Sequence, residues 1–541
     1  MSGTHDLTRR DLLRWSAVAG GSALLLGTAS HRGSAVAQTP LPAAISAVMN
    51  KPRYAQATWS LLAVDVETGE TLYALEPDEQ AFTGSVRKLF SVGLALQALG
   101  ADHRITTPVY RRGEIGAGGT LRGDLILVAA GDLTFGGRLN GDGSIAFTNF
   151  DHNDANNLGT AILTPQNPLL GLDSLAQEVA ASGIRAVSGD VIVDDRLFES
   201  FRVPNGNLLI PPIMVNENMV DVSVTPTQSG RAAEVEWRPH SAAFAVDGIV
   251  ATGAAGTEDS VTLSGNARVE CIGTGGCMGD LEGSIPVGYQ APLSRSSQLV
   301  QTFRIENPAS YARTAFIEAL GRRGVTVAAE TVGANPAGRL PPSEAYSPAT
   351  RVAQFVSPFY AQYAKLILKV SLNLGANLSL MQYGLTRGQR TIAGALAAER
   401  EALVNRLGIA PDAFDFPTNG SGSPDSRATP RAVVQMLAAM SKRSVAAPYA
   451  AALPVLGVDG SLAGSGTNLP ARGHVYAKTG TTVMDGELKA QNLAGYIDAK
   501  SGRRLAFALF VNDAGPLEQI DDIGEVFEDE AAISSAIYEL A

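Results

Sequence analysis

The chain has 541 residues, of which 45% are hydrophobic and 18% charged, so a globular protein of more than one domain is expected. Its formal net charge of −11 argues against a nucleic-acid-binding protein, because such proteins present a basic face to the phosphates. The sequence also lacks the P-loop pattern and a strand-bound G-x-G-x-x-G pattern, which makes nucleotide chemistry an unfavoured function.

The first 37 residues predict an export signal. Arg9 and Arg10 begin the run "RRDLLR", an apolar segment follows at 15–29, and 35–37 form an A-x-A cleavage site. The paired arginines favour the twin-arginine route, and an ordinary secretory signal is the alternative. No later apolar segment is long enough to span a bilayer. We therefore expect a mature protein without a membrane span, located outside the cytoplasm in the periplasm.

The segment 58–82 predicts a β-hairpin with its turn near Gly69, and it leads into a helix over 83–100. After Lys88 this helix is apolar on all sides, which is typical of a buried helix. Ser85 lies three residues earlier, on the same helix face. Either Ser85 caps the helix and Lys88 extends to solvent, or a desolvated Lys88 with a lowered pKa takes the proton of a nucleophilic Ser85.

From about residue 104 to residue 300 the sequence predicts mainly strands. The polar run 136–167 contains Asp151, His152 and Asp154, for which a solvated loop is favoured over a metal-binding loop.

The two cysteines of the chain, Cys271 and Cys277, lie in the glycine-rich run "VECIGTGGCMGD". In an oxidising compartment this spacing favours a disulfide between them, and free thiols are the alternative. A metal site at the cysteines is not favoured, because no histidine or further cysteine lies near them in the sequence.

Helices predominate in the sequence after residue 305. Asn307 and Thr429, each followed by proline, predict helix starts, and two helices are expected to meet around Ser371. Strands after residue 470 and a C-terminal helix complete the chain. The late strands can pair with the early hairpin, which predicts one α+β domain built from both chain ends with the middle of the chain inserted into it.

Three short motifs occur in a fixed order. They are Ser85-x-x-Lys88, Ser371-x-Asn373 and Lys478-Thr479-Gly480, and the third is the least expected by chance. Ser-x-x-Lys opens the buried helix, and Lys-Thr-Gly falls on a predicted strand. This set is typical of penicillin-binding proteins and class A β-lactamases. The G-x-S-x-G and H-E-x-x-H patterns are absent, so a Ser-His-Asp or zinc hydrolase has little support.

With these motifs the sequence resembles the low-molecular-mass class C penicillin-binding proteins, which are D-alanyl-D-alanine carboxypeptidases and endopeptidases. The resemblance extends over nearly the whole chain after the signal, and β-lactamases resemble this family only in the catalytic domain. It is carried by the motifs and by the runs "LRGDLILVAAGD", "GDVIVDD", "VNENMVDVSVTP", "GSGS" and "LPVLGVDGSLAG". It implies a transpeptidase-like catalytic domain at 38–103 and 345–541, an inserted domain at 104–214 and 301–344, and a second inserted domain at 215–300.

The resemblance also implies residue roles. Ser85 is the acylated nucleophile, Lys88 its base, and Ser371 the proton relay to the leaving amine. The backbone N–H groups of Ser85 and Thr481 form the oxyanion hole. Asn373 binds the substrate amide. The substrate carboxylate is bound by Lys478, Thr479 and Thr481.

The sequence departs from the family pattern at two positions. Leu372 stands where the second motif usually has Asp, and Asn419 stands where the "GSGS" loop is usually preceded by Asp. Neither position is assigned to bond making, so we expect activity to be retained with altered loop packing.

The sequence therefore predicts a serine DD-peptidase that acts on peptidoglycan stem peptides without a cofactor or a metal. β-Lactam antibiotics are the expected covalent inhibitors. The alternatives are a β-lactamase and a catalytically silent protein that binds the cell wall. The balance of carboxypeptidase and endopeptidase action, the diamino acid of the substrate and the oligomeric state stay open.

Overall fold

The computed structural model describes residues 40–264, 268–269, 277–517 and 521–541. The predicted signal at 1–37 and the Cys271 half of the predicted disulfide lie outside the described residues. The chain divides into two compact units. The first comprises residues up to Ala101, Arg202–Leu208 and Ala364–Ala541, and the second comprises Asp102–Phe201 and Leu209–Tyr363. The three-domain boundaries given above stay a prediction.

The first unit is built on a five-stranded antiparallel sheet. In chain order its strands are β1 Thr58–Asp65, β2 Thr71–Leu75, β3 Val475–Met484, β4 Glu487–Asp498 and β5 Arg504–Asn512. In space the order is β2-β1-β5-β4-β3, so the first hairpin pairs with the last strand of the chain. The two chain ends thus form one sheet, and the predicted α+β class is confirmed. Strand β3, which carries the Lys-Thr-Gly motif, lies at the edge of this sheet.

Within the described residues, the first unit also contains helices. They are α1 Ala43–Met49, α2 Lys88–Leu99, α3 Tyr360–Lys369, α4 Asn373–Leu385, α5 Ile392–Asn405, α6 Pro430–Met440, α7 Ala446–Ala451 and α8 Asp521–Leu540. Short strands at Ala81–Phe82, Phe414–Asp415 and Arg427–Ala428 form a separate small sheet. The first residues of α3, Tyr360 to Tyr363, belong to the second unit.

Helix α2 is buried, as its apolar sequence predicts. Leu89, Phe90 and Val92 are fully inaccessible to solvent, and the helix packs against α4. The helix begins at Lys88, because the preceding residues Gly84–Arg87 form a single 3-10 turn. The second predicted pair of helices is also present: α3 ends two residues before Ser371, and α4 begins two residues after it.

The sheet of the first unit has helices on both faces. Residues of β5 alternate between the faces, as strand geometry requires. Leu505, Phe507 and Leu509 belong to the apolar core that also contains Val526 and Ile533 of α8. Helix α6 also packs against β5, and Tyr496 of β4 donates its hydroxyl to the Leu437 carbonyl of α6.

The second unit is rich in strands, as predicted. Its largest sheet has the order Thr326–Val327, Ala186–Val187, Thr120–Val128, Thr106–Ile115 and Arg351–Val356, with Val191–Asp194 also paired to Thr120–Val128. A second sheet has the order Glu234–Arg238, Met219–Thr225, Leu299–Ile305 and Arg268–Val269. A third contains Phe244–Asp247, Cys277–Pro286, Val250–Gly253 and Thr262–Ser264. Strands Phe201–Val203 and Leu208–Ile210 pair with each other, and they include residues that belong to the first unit. The helices of the second unit are Ala155–Leu158, Leu170–Ala181 and Pro308–Arg322.

A buried ionic cluster lies in the second unit, where the sequence predicts a solvated loop. That prediction is wrong for Asp151 and His152, which are both 4% exposed. Arg138 donates to both carboxylate oxygens of Asp151 at 2.7 Å and to those of Glu217 at 2.6 and 2.7 Å. The ring of His152 bonds to Glu217 and, at 2.6 Å, to Asp221. The polar loop is buried because its charges are compensated by residues distant in sequence.

Burial by itself lowers the pKa of His152, but the adjacent charges of Asp221 and Glu217 outweigh this effect and raise its pKa to about 10. The imidazole is therefore positively charged at neutral pH.

Among the helices of the described ranges, none combines the length and apolar character that a membrane crossing requires.

Candidate active site

Ser85 and Lys88 meet at the start of α2. The 3-10 turn Gly84–Arg87 runs directly into the helix, so the two side chains lie on one face. Lys88 Nζ lies 2.5 Å from Ser85 Oγ. The lysine side chain is fully buried, whereas Ser85 is half-buried. The interpretation in which Lys88 extends to solvent is therefore excluded by the structure.

The second motif reaches the same amine from the loop between α3 and α4. Ser371 has a left-handed backbone conformation with φ of 58°, which residues other than glycine rarely adopt. Its Oγ lies 3.3 Å from Lys88 Nζ, and Asn373 Oδ1 lies 2.7 Å from it. Leu372, between them, is 1% exposed. Leu372, which stands where the family usually has Asp, therefore packs its apolar side chain into the protein interior.

The "GSGS" loop supplies a further contact that the sequence analysis did not assign. The carbonyl of Ser421 accepts from Lys88 Nζ at 3.1 Å. Asn419 shapes this loop: its Oδ1 accepts from the N–H groups of Ser421 at 2.8 Å and Gly422 at 2.7 Å. An aspartate can accept these two bonds as well. The Asn419 amide also donates to the Ser423 carbonyl at 3.3 Å, which a carboxylate cannot do.

Four oxygen atoms thus surround Lys88 Nζ. An ammonium group has three protons to donate and no lone pair, whereas a neutral amine can accept one proton. Desolvation disfavours the charged form of a buried lysine. In the neutral form the 2.5 Å contact with Ser85 becomes a bond in which the serine hydroxyl donates to the amine. This arrangement is the one that activates a serine for nucleophilic attack.

Two glycines allow strand β3 to approach the turn that carries Ser85. A Cβ atom on Gly480 would lie 2.2 Å from the Thr83 carbonyl oxygen, and one on Gly84 would lie 2.6 Å from the backbone nitrogen of Thr481. Both contacts are with backbone, which cannot move aside as a side chain can. The glycine of Lys-Thr-Gly is therefore required by this close approach, which brings the backbone of Thr481 beside that of Gly84 and Ser85.

The side chains of the third motif differ in their contacts. Lys478 is fully buried, and its Nζ donates to the Thr479 carbonyl at 2.9 Å. The Thr479 hydroxyl lies 3.0 Å from the hydroxyl of Ser461. The Thr481 hydroxyl donates to Gln491 Oε1 at 2.6 Å, across the β3–β4 pair. In this structure the proton of Thr481 is therefore directed at Gln491.

A buried ion pair anchors the turn that carries Ser85. Arg87 is inaccessible to solvent and donates to both carboxylate oxygens of Glu399 on α5, at 2.8 Å for the first. Its guanidinium lies 4.0 Å from the ring centre of Phe416. This pair was not among the contacts predicted from the sequence. A signal was present, because Arg87 directly precedes Lys88 in a segment otherwise suited to burial.

The ionic cluster of the second unit contains three residues that could bind a metal. Asp151, His152 and Glu217 each offer a ligand atom, and these atoms lie within 4.8 Å of one another. However, the guanidinium of Arg138 already bonds to both carboxylates. A divalent cation there would face this arginine and a protonated imidazole, which cannot coordinate. The donor set therefore fits an ion-pair network better than a metal.

The fold and the geometry of the first unit define a class: a serine peptidase with a buried lysine next to a serine hydroxyl. Within this class, the motif order and the long insertion between Ser85 and Ser371 distinguish the resembled family from the β-lactamases. The sequence profile of the D-Ala-D-Ala carboxypeptidase 3 (S13) family matches residues 41–530, and the chain belongs to this family. The membership predicted from the motifs is confirmed.

Individual proteins are similar to this chain over most of its length, and the two solved structures among them show the fold. The chain is 29% identical over 504 residues to a D-alanyl-D-alanine carboxypeptidase of Actinomadura sp. (strain R39), which covers 88% of this chain and 82% of the relative. Penicillin binding protein 4 from Haemophilus influenzae is 18% identical, with a TM-score of 0.64 over 91% of this chain and 98% of that one. A structure of that protein in complex with a β-lactam gives a TM-score of 0.62 at 19% identity, over 92% and 99% of the two chains.

Proposed function

We propose that the protein is a serine D-Ala-D-Ala carboxypeptidase or endopeptidase that cleaves peptidoglycan stem peptides through an acyl-enzyme on Ser85. The observation that carries this proposal is the 2.5 Å contact between Ser85 Oγ and the buried Nζ of Lys88. Family membership supports the same conclusion.

Acylation begins with proton transfer from Ser85 to the neutral amine of Lys88. The serine oxygen then forms a bond to the carbonyl carbon of the penultimate D-alanine. The negative charge that develops on the carbonyl oxygen is stabilised by the backbone N–H groups of Ser85 and Thr481. Ser371, 3.3 Å from Lys88 Nζ, passes the proton on to the leaving amine as the C–N bond breaks.

Substrate binding uses the edge strand and the second motif. Asn373 holds the substrate amide, and Lys478 supplies positive potential beside the terminal carboxylate. Thr479 and Thr481 contact that carboxylate in the proposed complex. For Thr481 this requires its hydroxyl to turn away from Gln491.

In the second half of the reaction, water attacks the acyl-enzyme. Its proton passes to the amine of Lys88, and Ser85 regains a proton as the C–O bond breaks. When the first product is D-alanine the protein acts as a carboxypeptidase, and when it is a neighbouring strand it acts as an endopeptidase. A β-lactam acylates Ser85 in the same way, and slow release then leaves the protein inhibited.

The first test is covalent labelling with a fluorescent penicillin. The wild-type protein should be labelled and Ser85→Ala should not, while Ser501→Ala, which alters an exposed serine, should behave as wild type. Labelling of Ser85→Ala would place the nucleophile elsewhere. Rapid release of hydrolysed penicillin would favour a β-lactamase, and absence of labelling in wild type would favour a silent cell-wall-binding protein.

The second test uses natural substrate. Purified protein is incubated with muropeptide monomers and with cross-linked dimers, and the products are identified by mass. Loss of one alanine from monomers measures carboxypeptidase action, and conversion of dimers to monomers measures endopeptidase action. If neither product is formed, the proposal is contradicted.

We further propose that the protein acts in the periplasm after twin-arginine export. The support is the sequence of residues 1–37 alone. Replacement of Arg9 and Arg10 by lysine should retain the precursor in the cytoplasm. Normal export of that variant would instead indicate the general secretory route.

A further inference from the structure

The run "LPVLGVDGSLAG" carries part of the family resemblance but has no role in the mechanism above. Its residues 454–463 form one segment, which we call the strap. The strap lies along the outer edge of β3. Leu456 N–H donates to the Val475 carbonyl at 3.0 Å, and Ala477 N–H donates to the Pro454 carbonyl at 2.9 Å. The strap therefore covers β3 up to residue 477, directly before the Lys-Thr-Gly motif.

An ion pair ties the strap to the second motif. The buried amine of Lys369 bonds to both carboxylate oxygens of Asp459, at 2.6 and 2.7 Å. The backbones of the two segments are in close contact as well, because a Cβ atom on Gly460 would lie 2.7 Å from the Lys369 carbonyl oxygen. Lys369 is the last residue of α3, two residues before Ser371. The strap thus connects the loop that carries Ser371 with the start of the third motif.

The next residue of the strap places a hydroxyl group on the third motif. Ser461 Oγ lies 3.0 Å from Thr479 Oγ1. Lys478 Nζ lies 3.4 Å from the same Thr479 oxygen and can only donate to it. If Ser461 also donates, both lone pairs of Thr479 are occupied and its single proton is directed at a third group. That group would be an acceptor such as a carboxylate.

We propose that Ser461 is a positioning residue for the substrate's terminal carboxylate, acting through Thr479. This inference rests on the proposed DD-peptidase function. Ser461 donates to Thr479, and Thr479 donates to the carboxylate beside the positive charge of Lys478. Successive hydroxyl donors polarise one another, and a bond to a charged acceptor is stronger than one between neutral groups. Thr481, whose proton is directed at Gln491 in this structure, cannot replace Thr479 without turning its hydroxyl.

The test compares two peptide substrates that end in D-Ala-D-Ala, one with a free terminal carboxylate and one with a terminal carboxamide. In Ser461→Ala, Thr479 loses its donor, so its proton is no longer fixed in the outward direction. We expect kcat/KM for the carboxylate peptide to fall about tenfold, through a higher KM with nearly unchanged kcat, which is about 1.4 kcal/mol. The carboxamide peptide should change less than twofold, because a neutral terminus gains little from the polarised donor.

Two variants serve as controls. Ser461→Thr keeps the hydroxyl and should retain the preference for the carboxylate. Ser465→Ala removes a different hydroxyl a few residues further along and should cleave both peptides as the wild type does. A fall of equal size for both peptides would show that Ser461 is only structural and would overturn the inference. No change for either peptide would also overturn it.

These outcomes are distinguishable from failure of the proposed function. If the wild-type protein cleaves neither peptide and is not labelled by penicillin, the proposed function and this inference both fail. If the wild-type protein is active and Ser461→Ala lacks the substrate-dependent effect, only the inference about Ser461 fails.

Discussion

Replacement of Lys88 by arginine is the sharpest test of the mechanism. The amine of Lys88 lies 2.5 Å from Ser85 Oγ, and the other three oxygens around it accept hydrogen bonds. Arginine keeps a long side chain that can donate to these oxygens. It cannot accept a proton, because the guanidinium group stays protonated at any accessible pH. The variant therefore removes the base while it keeps the hydrogen-bond donors.

The expected loss is at least about 10³-fold in the second-order rate of acylation by penicillin, since removal of a general base costs about 10² to 10⁴. A loss of 10³ corresponds to about 4 kcal/mol in the activation free energy. The short distance between the amine and the hydroxyl supports the upper part of this range. Lys88→Met, which keeps most of the side-chain length without the charge, should be inactive as well.

The assay measures the acylation rate against pH. If the neutral amine of Lys88 is the base, the wild-type rate should increase with pH as its proton is lost, and Lys88→Arg should not show this increase. Lys489→Arg, at a partly exposed lysine, is the matched control and should leave the rate unchanged. If Lys88→Arg stays within about tenfold of wild type, a loss of under ~1.4 kcal/mol, Lys88 is structural and the mechanism is wrong.

Three further predictions concern the frame around the site and the second unit. Glu399→Gln leaves Arg87 buried without a counter-charge, so the free energy of unfolding should fall by about 3–5 kcal/mol, measured by urea denaturation. Gly480→Ala places a Cβ atom 2.2 Å from the Thr83 carbonyl oxygen, so β3 must move and the acylation rate should fall by about 10²-fold. Because the folded-state pKa of His152 is raised to about 10, its contribution to stability is complete below its unfolded pKa of about 6.5 and is lost as the pH rises through 10. Unfolding curves of the wild type between pH 6 and pH 10, compared with those of His152→Gln, measure this loss.

Each of these predictions has its own control. Glu401→Gln changes an exposed glutamate on the same helix and should leave stability unchanged; an equal effect in both variants would show that the Arg87 pair is not responsible. Gly524→Ala adds a methyl group where no atom lies within 4 Å, and it should be active. A pH dependence that is identical in wild type and His152→Gln would exclude the histidine as its source.

Much of the catalytic site follows from the sequence, because its features are local. The spacing of Ser85 and Lys88 places both residues on one helix face, and the apolar residues that follow require burial. The alternation of the late strands and the caps at Asn307 and Thr429 likewise depend on neighbouring residues. The side chains of Asn307 and Thr429 each accept a hydrogen bond from the backbone N–H three residues later, as a helix cap requires.

Other features were decided by tertiary structure, because they depend on partners far apart in the chain. No local pattern pairs Arg87 with Glu399, or Lys369 with Asp459. The same cause explains the wrong prediction for His152, since a polar loop is expected to be solvated unless distant charges compensate it. The direction of the Thr481 hydroxyl depends on Gln491, its partner across the β3–β4 pair. Sequence thus determined which groups are brought together at the candidate active site, whereas long-range packing and charge compensation determined how each group is held.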